Sequence, residues 1–166
     1  MDCEEELSAY HEAGHAVVAH ALGGEIESVQ LGGEADSWLP ERFGDCRINW
    51  GPVDPNADFQ RQREIVALLA GPAAEMIYSG GDVDPSKFGP WAADWTMARS
   101  MAVALTGDPQ RAQAILVQSL QQLDRILRRD DCWAALAEIA DQLLTHEFVD
   151  GETVQQIMGF WGRYGG

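Results

Sequence analysis

"AYHEAGHAVVAHALGG", residues 9–24, holds three of the four histidines in a chain of 166 residues. His11 and His15 stand four apart, with Glu12, Ala13 and Gly14 between them. On a helix, residues at that spacing lie one above the other on the same face. The flanks favour a helix over about 4–22. Glu4, Glu5 and Glu6 suit the positive N-terminal end, and Gly23-Gly24 supplies a stop. Gly14 lowers helix propensity by about 1 kcal/mol relative to Ala, so the close approach of other backbone is the expected reason for it.

Two imidazoles so placed can both reach one tetrahedral Zn²⁺ at about 2.0–2.1 Å, leaving room for a third ligand and a water. Glu12 lies at the edge of that face, where a carboxylate is poorly placed to ligate but well placed to take a proton from an activated water. A helix carrying solvated or core-packed histidines has the same spacing, so a third ligand is the test. Two acids compete for that role: Glu75 in "LLAGPAAEMIYSGG" (68–81) and Asp94 in "FGPWAADWTMARSMAVAL" (88–105). Spacing leaves both open.

Beyond the first helix, "EIESVQL" (25–31) and "CRINW" (46–50) alternate in the period-2 manner of strands. A Gly/Asp/Pro-rich loop separates them, so a small sheet or long hairpin is expected. Residues 57–78 are helical in pattern, and Pro72 predicts a kink or a division into two helices. "SGGDVDPSKFGP" (79–90) reads as loop, followed by a helix over about 91–105. Asp108-Pro109 is a cap and first-position signal. It opens a helix to about Arg129 in which Leu116, Leu120, Leu123 and Leu127 form a core stripe. Further helices are expected over about 132–145 and 151–158. The fold class is therefore mainly α (α+β), a single domain over 1–166 with a small β element between the first and second helices.

The chain carries 27 acidic and 11 basic residues, a net charge of −16. Neither nucleic acid nor an anionic membrane surface would be attracted to it. No segment approaches the about 20 apolar residues of a membrane span. The acidic N-terminus is the opposite of a signal peptide's charged region. Cys3, Cys46 and Cys132 are odd in number and far apart, which indicates buried thiols rather than a disulfide framework or a zinc ribbon. A reduced, cytoplasmic setting is expected. His20, five residues beyond His15, points to another part of the helix surface. His146 lies near a helix end, where a protonated ring suits the dipole. Trp91 and Trp95 flank Asp94 and read as core packing or as walls of a substrate pocket. "DRILRRDD" (124–131) reads as a solvated helix end with local ion pairs.

The segments "AYHEAGHAVVAHAL", "LLAGPAAEMIYSGG" and "AADWTMARSMA", in that order, resemble the proteolytic domain of the FtsH-type family of ATP-dependent zinc proteases. The tail "LAEIADQLLTHEFVDGETVQQIM" (136–158) is similar to the closing helices of that family. The resemblance implies a zinc metalloendopeptidase with one Zn²⁺ per chain. It implies His11 and His15 as ligands, Asp94 as the ligand that completes the site, and Glu12 as the catalytic glutamate. Glu75 matches a glutamate near the site that does not bind metal. The chain departs from the family at Gly71-Pro72, where Gly-Arg is usual, and at Ala93, where a polar residue is usual. The family's Gly-rich strand segment is not recognisable between Ile26 and Pro55.

The single lysine, Lys87, lies outside any GxxxxGK[ST] loop, so no nucleotide-binding module is expected here. Unfolding power would come from a separate ATPase partner, and short peptides or already unfolded chains would be the substrates. The resemblance also implies that the helical tail can mediate assembly into a homo-oligomer. The competing reading is a non-catalytic metal-binding domain of the same fold that acts as a binding or regulatory module. A plain helical interaction protein without metal is the third class.

Overall fold

The computed structural model describes residues 3–31, 42–43, 46–81 and 92–165. Lys87 and Trp91, with most of the two expected loops, lie outside the described residues. The chain forms α1 (Cys3–Ala21), β1 (Glu25–Gln30), β2 (Arg42–Phe43), β3 (Cys46–Asn49), α2 (Asp58–Tyr78) and α3 (Ala92–Thr106). It continues with α4 (Pro109–Leu127), α5 (Asp130–His146), β4 (Phe148–Asp150) and α6 (Gly151–Gly165). The mainly helical α+β class read from the sequence is what the chain adopts, with strands between α1 and α2 as expected.

α1 runs through the middle of the molecule. Ala9, Ala13, Ala16, Val17 and Ala19 are all fully buried, so the helix is enclosed over most of its circumference. It ends at Gly23, whose φ of 100° only glycine adopts without strain. There the Gly24 N–H donates to the Ala19 carbonyl at 2.9 Å. Arg63 of α2 donates to the Leu22 carbonyl at 3.1 Å, bringing a cation to the negative end of α1. The Arg63 guanidinium lies over the rings of both Trp50 and Phe59, 4.9 and 4.2 Å from their centroids.

α2 packs on α1 more extensively than any other pair of elements does. Gly14 is the point of closest approach. A Cβ there would lie 2.6 Å from the Ala70 carbonyl oxygen and 2.7 Å from the Ala74 Cβ, so the expected close backbone contact is present. Of the two outcomes expected at Pro72, a kink or a division into two helices, the division does not occur. α2 continues unbroken past Pro72, which is itself buried. Proline removes one hydrogen bond, to the Leu68 carbonyl, and the buried surface of Leu68, Leu69, Ala73 and Ala74 on either side holds the helix together.

The sheet is antiparallel in the order β2-β3-β1-β4. β1 departs from strict alternation: Ile26 and Val29 both face the core, three residues apart. A register shift between Ile26 and Ser28 accommodates the extra residue, as a bulge does. β4 was not evident in the sequence. It pairs with β1 through Val29 and Val149 and leads directly into α6, which reaches Gly165 rather than ending near 158. Gly151 begins α6 against the Ile26 carbonyl, where a side chain would have no room.

The remaining helices close the core. Asp108 caps α4 through the Gln110 N–H at 3.0 Å, with Pro109 in the first turn. Leu116, Leu120, Leu123 and Leu127 are buried as a stripe. Arg128 pairs with Asp124 at 2.8 Å and Arg129 with Asp131 at 3.0 Å on the surface, as the charge run suggested. Among the described residues, no helix is long and apolar enough to cross a membrane.

Candidate metal centre

One turn of α1 places His11 and His15 on the face that meets α2, and α3 brings Asp94 to the same point from its first turn. His15 is fully buried, and the side chains of His11, Glu12, Glu75 and Asp94 retain only slight exposure. Five ionisable side chains thus share a nearly water-free volume, where each charge must find compensation.

Hydrogen bonding orients the two rings. His15 donates from Nδ1 to the Ala67 carbonyl of α2 at 2.8 Å, which leaves Nε2 on the other side of the ring. Glu75, two turns further along α2, sets Oε1 at 3.3 Å from His11 Nδ1, an ion-pair contact rather than an aligned hydrogen bond. Both Nδ1 atoms therefore face α2, and both Nε2 atoms converge at 3.1 Å. An outer-shell oxygen on one ring nitrogen, with the other left for a metal, is the usual arrangement around histidine ligands.

Asp94 completes the convergence. Its Oδ2 lies 3.0 Å from His11 Nε2 and 3.6 Å from His15 Nε2. Two ring nitrogens and a carboxylate oxygen thus form a triangle with edges of 3.0, 3.1 and 3.6 Å. Three ligands on a tetrahedral ion at bond lengths of 2.0–2.1 Å stand about 3.3 Å apart. The triangle fits that requirement. Glu12 Oε1 is 3.9 Å from His11 Nε2, and the ligand atoms of His11, Glu12 and His15 lie within 4.8 Å of one another. These residues can hold a metal ion, with the Glu12 carboxylate beside the shorter triangle rather than in it.

Without an ion the cluster holds a proton. Burial lowers the affinity of His11 for a proton, but the Asp94 and Glu75 carboxylates beside it and the charge on Glu12 outweigh burial and raise its pKa to about 10. Burial likewise pushes the Asp94 carboxyl up, and its contacts with His11 and His15 more than reverse that, holding it well below the usual range. A cation, whether a proton or a metal, is what these converging acceptors favour.

The structure brings together every residue the sequence singled out for the site: His11, Glu12, His15, Asp94 and Glu75. It separates the positions of the two competing acids, since Asp94 meets both Nε2 atoms and Glu75 meets His11 Nδ1. His20 stands apart, lining a cavity of about 670 Å³ with Gly23, Glu25, Glu27 and Glu152. His146 lies at the exposed end of α5. Trp95 packs against the core. Burial raises the thiol pKa of Cys46 and, to about 11, that of Cys132, which keeps both unreactive. One residue was missed. Gly71 sits against both histidine rings, where a Cβ would overlap His15 Nε2 and lie 2.8 Å from His11 Nε2. In the sequence Gly71 stood out only beside Pro72, with nothing to mark a role at the site.

No family model matches this chain, and no curated protein matches it.

Proposed function

We propose that the protein is a zinc metallopeptidase resembling the proteolytic domain of FtsH-type proteases, with Zn²⁺ held by His11, His15 and Asp94 and with Glu12 as general base. The observation that carries the reading is the triangle of His11 Nε2, His15 Nε2 and Asp94 Oδ2 at tetrahedral-edge distances. Zinc in such a site supplies Lewis-acid polarisation of a water and of a peptide carbonyl. Glu12 accepts the proton of the attacking water as the new C–O bond forms, then delivers it to the leaving nitrogen as the C–N bond breaks. The products are a carboxylate and an amine. Glu75, beside His11 Nδ1, would orient the ring from the side away from the ion.

Peptides and already unfolded chains are the substrates in this reading, and a separate ATPase partner would be needed for folded ones. Cys46 and Cys132 are free thiols, which suits a reducing compartment. The test pairs metal content with cleavage of a reduced, carboxymethylated protein that cannot refold. One zinc per chain and cleavage that falls by roughly 10²–10⁴-fold in Glu12→Gln, with zinc retained, is the expected result. Zinc bound without any cleavage would favour the non-catalytic metal-binding reading, and Glu12→Gln activity at wild-type level would remove the general-base role.

A further inference from the structure

We propose that Gly71 is a positioning residue of the metal centre: its missing side chain is the space into which the two histidine rings turn their Nε2 atoms. The proposal rests on the metal reading above and adds a determinant that lies outside the His11-Glu12-x-x-His15 motif.

α2 meets the site through a stripe with one residue per turn. Ala67, Gly71 and Glu75 are four apart and lie on one face. Ala67 offers its carbonyl to His15 Nδ1, and Glu75 offers its carboxylate to His11 Nδ1. Position 15 thus meets position 67 and position 11 meets position 75, so α1 and α2 run antiparallel here. Gly71 falls midway. The three heavy atoms nearest a Cβ at 71 are His15 Nε2, His15 Cε1 at 2.7 Å and His11 Nε2 at 2.8 Å. Non-bonded carbon contacts begin near about 3.5 Å, so a methyl group there and the converged rings cannot coexist.

Gly14 makes the contrast clear. Its Cβ would strike the Ala70 carbonyl and the Ala74 methyl, so that glycine serves helix packing. The atoms that a Cβ at 71 would strike belong to the two candidate ligands. Nor does backbone conformation call for glycine at 71, since it is absent from the positive-φ residues and lies within a continuous helix. A mid-helix glycine costs about 1 kcal/mol relative to alanine, and Ala70, Ala73 and Ala74 surround it. Room for the rings is the feature that offsets this cost.

The experiment uses Gly71→Ala, purified without affinity-tag histidines. Zinc affinity is measured by chelator competition, site geometry by the visible absorption of the Co²⁺-substituted protein, and folding by circular dichroism in EDTA. The expected result is a helical protein whose zinc affinity falls by roughly 100-fold, with the tetrahedral Co²⁺ bands weakened and shifted. Zinc affinity within threefold of wild type and an unchanged Co²⁺ spectrum would overturn the proposal.

If Gly71→Ala does not fold, removing both struck imidazoles decides: His11→Ala/His15→Ala is compared with the triple variant that adds Gly71→Ala. With both rings gone, the triple variant should fold and melt at or above the double variant. A folded His11→Ala/His15→Ala with an unfolded triple variant would place the clash in helix packing and refute the assignment. Wild-type protein that binds no zinc would remove the metal reading instead. The two melts would still report whether position 71 opposes the rings.

Discussion

Gly14→Ala sets two forces of known sign against each other. Helix propensity alone predicts stabilisation by about 1 kcal/mol, since alanine replaces glycine in the interior of α1. Packing predicts the reverse. The added Cβ would stand 2.6 Å from the Ala70 carbonyl oxygen and 2.7 Å from the Ala74 Cβ, where ordinary carbon contacts begin near about 3.5 Å. The obstructing atoms are main chain and a methyl group, with no flexible side chain to swing aside, so α1 and α2 must separate by about 0.8 Å. Overpacking of that kind costs about 1–3 kcal/mol. The same displacement stretches the His15–Ala67 hydrogen bond from 2.8 Å to about 3.6 Å, beyond useful range, and forfeits about 1 kcal/mol more.

The net expectation is destabilisation by about 2 kcal/mol, equivalent to a melting temperature lower by roughly 4–8 °C for a chain of this length. Thermal melts in EDTA measure this term, and chelator competition measures the second consequence. A His15 ring no longer fixed by Ala67 should lower zinc affinity by roughly 10–100-fold. A variant that melts at or above wild type with unchanged zinc affinity would refute both the helix contact and its link to the site.

Asp94→Ala should abolish stoichiometric zinc, whereas Glu75→Ala should retain it with affinity reduced by roughly 10–100-fold, because Glu75 meets His11 at Nδ1, the nitrogen away from the site. Mass spectrometry of metal content separates the two, and the opposite pattern would exchange their roles. In EDTA, the proton on His11 stabilises the fold fully below its unfolded pKa of 6.5, and this contribution is lost as pH rises towards about 10. The Asp94 contribution has the opposite sign, present above 3.8 and lost in acid. Melting temperature in EDTA should therefore fall between pH 7 and pH 10 while zinc affinity rises, because metal and proton compete for the same nitrogen. A flat or rising EDTA curve across that window would contradict the assignment. Asp108→Ala removes the α4 cap and should cost about 1 kcal/mol by urea titration with no change in zinc binding.

The elements that were legible in the sequence are those specified by neighbours in the chain. His11, Glu12 and His15 were found because a one-turn spacing makes local sequence equivalent to local geometry. The leucine stripe of α4 and its Asp108-Pro109 start follow from the helical period and from capping. Pro72 left a kink and a break both open, and the buried surface on both sides of it holds α2 as one continuous helix. β4 carried no signal because a three-residue strand is defined by its partner, and that partner is more than 100 residues earlier in the chain.

The site divides along the same line. The sequence by itself determined the two histidines, the glutamate between them, and a pair of acids of which spacing could not choose one. Only the tertiary structure decided that Asp94 Oδ2 meets both Nε2 atoms while Glu75 meets His11 Nδ1. It also decided that Gly71 is where the rings find room. The physical reason is common to all three. Ligand convergence is set by how α2 and α3 pack against α1, and that packing comes from the burial of many apolar residues acting together, which no short motif encodes.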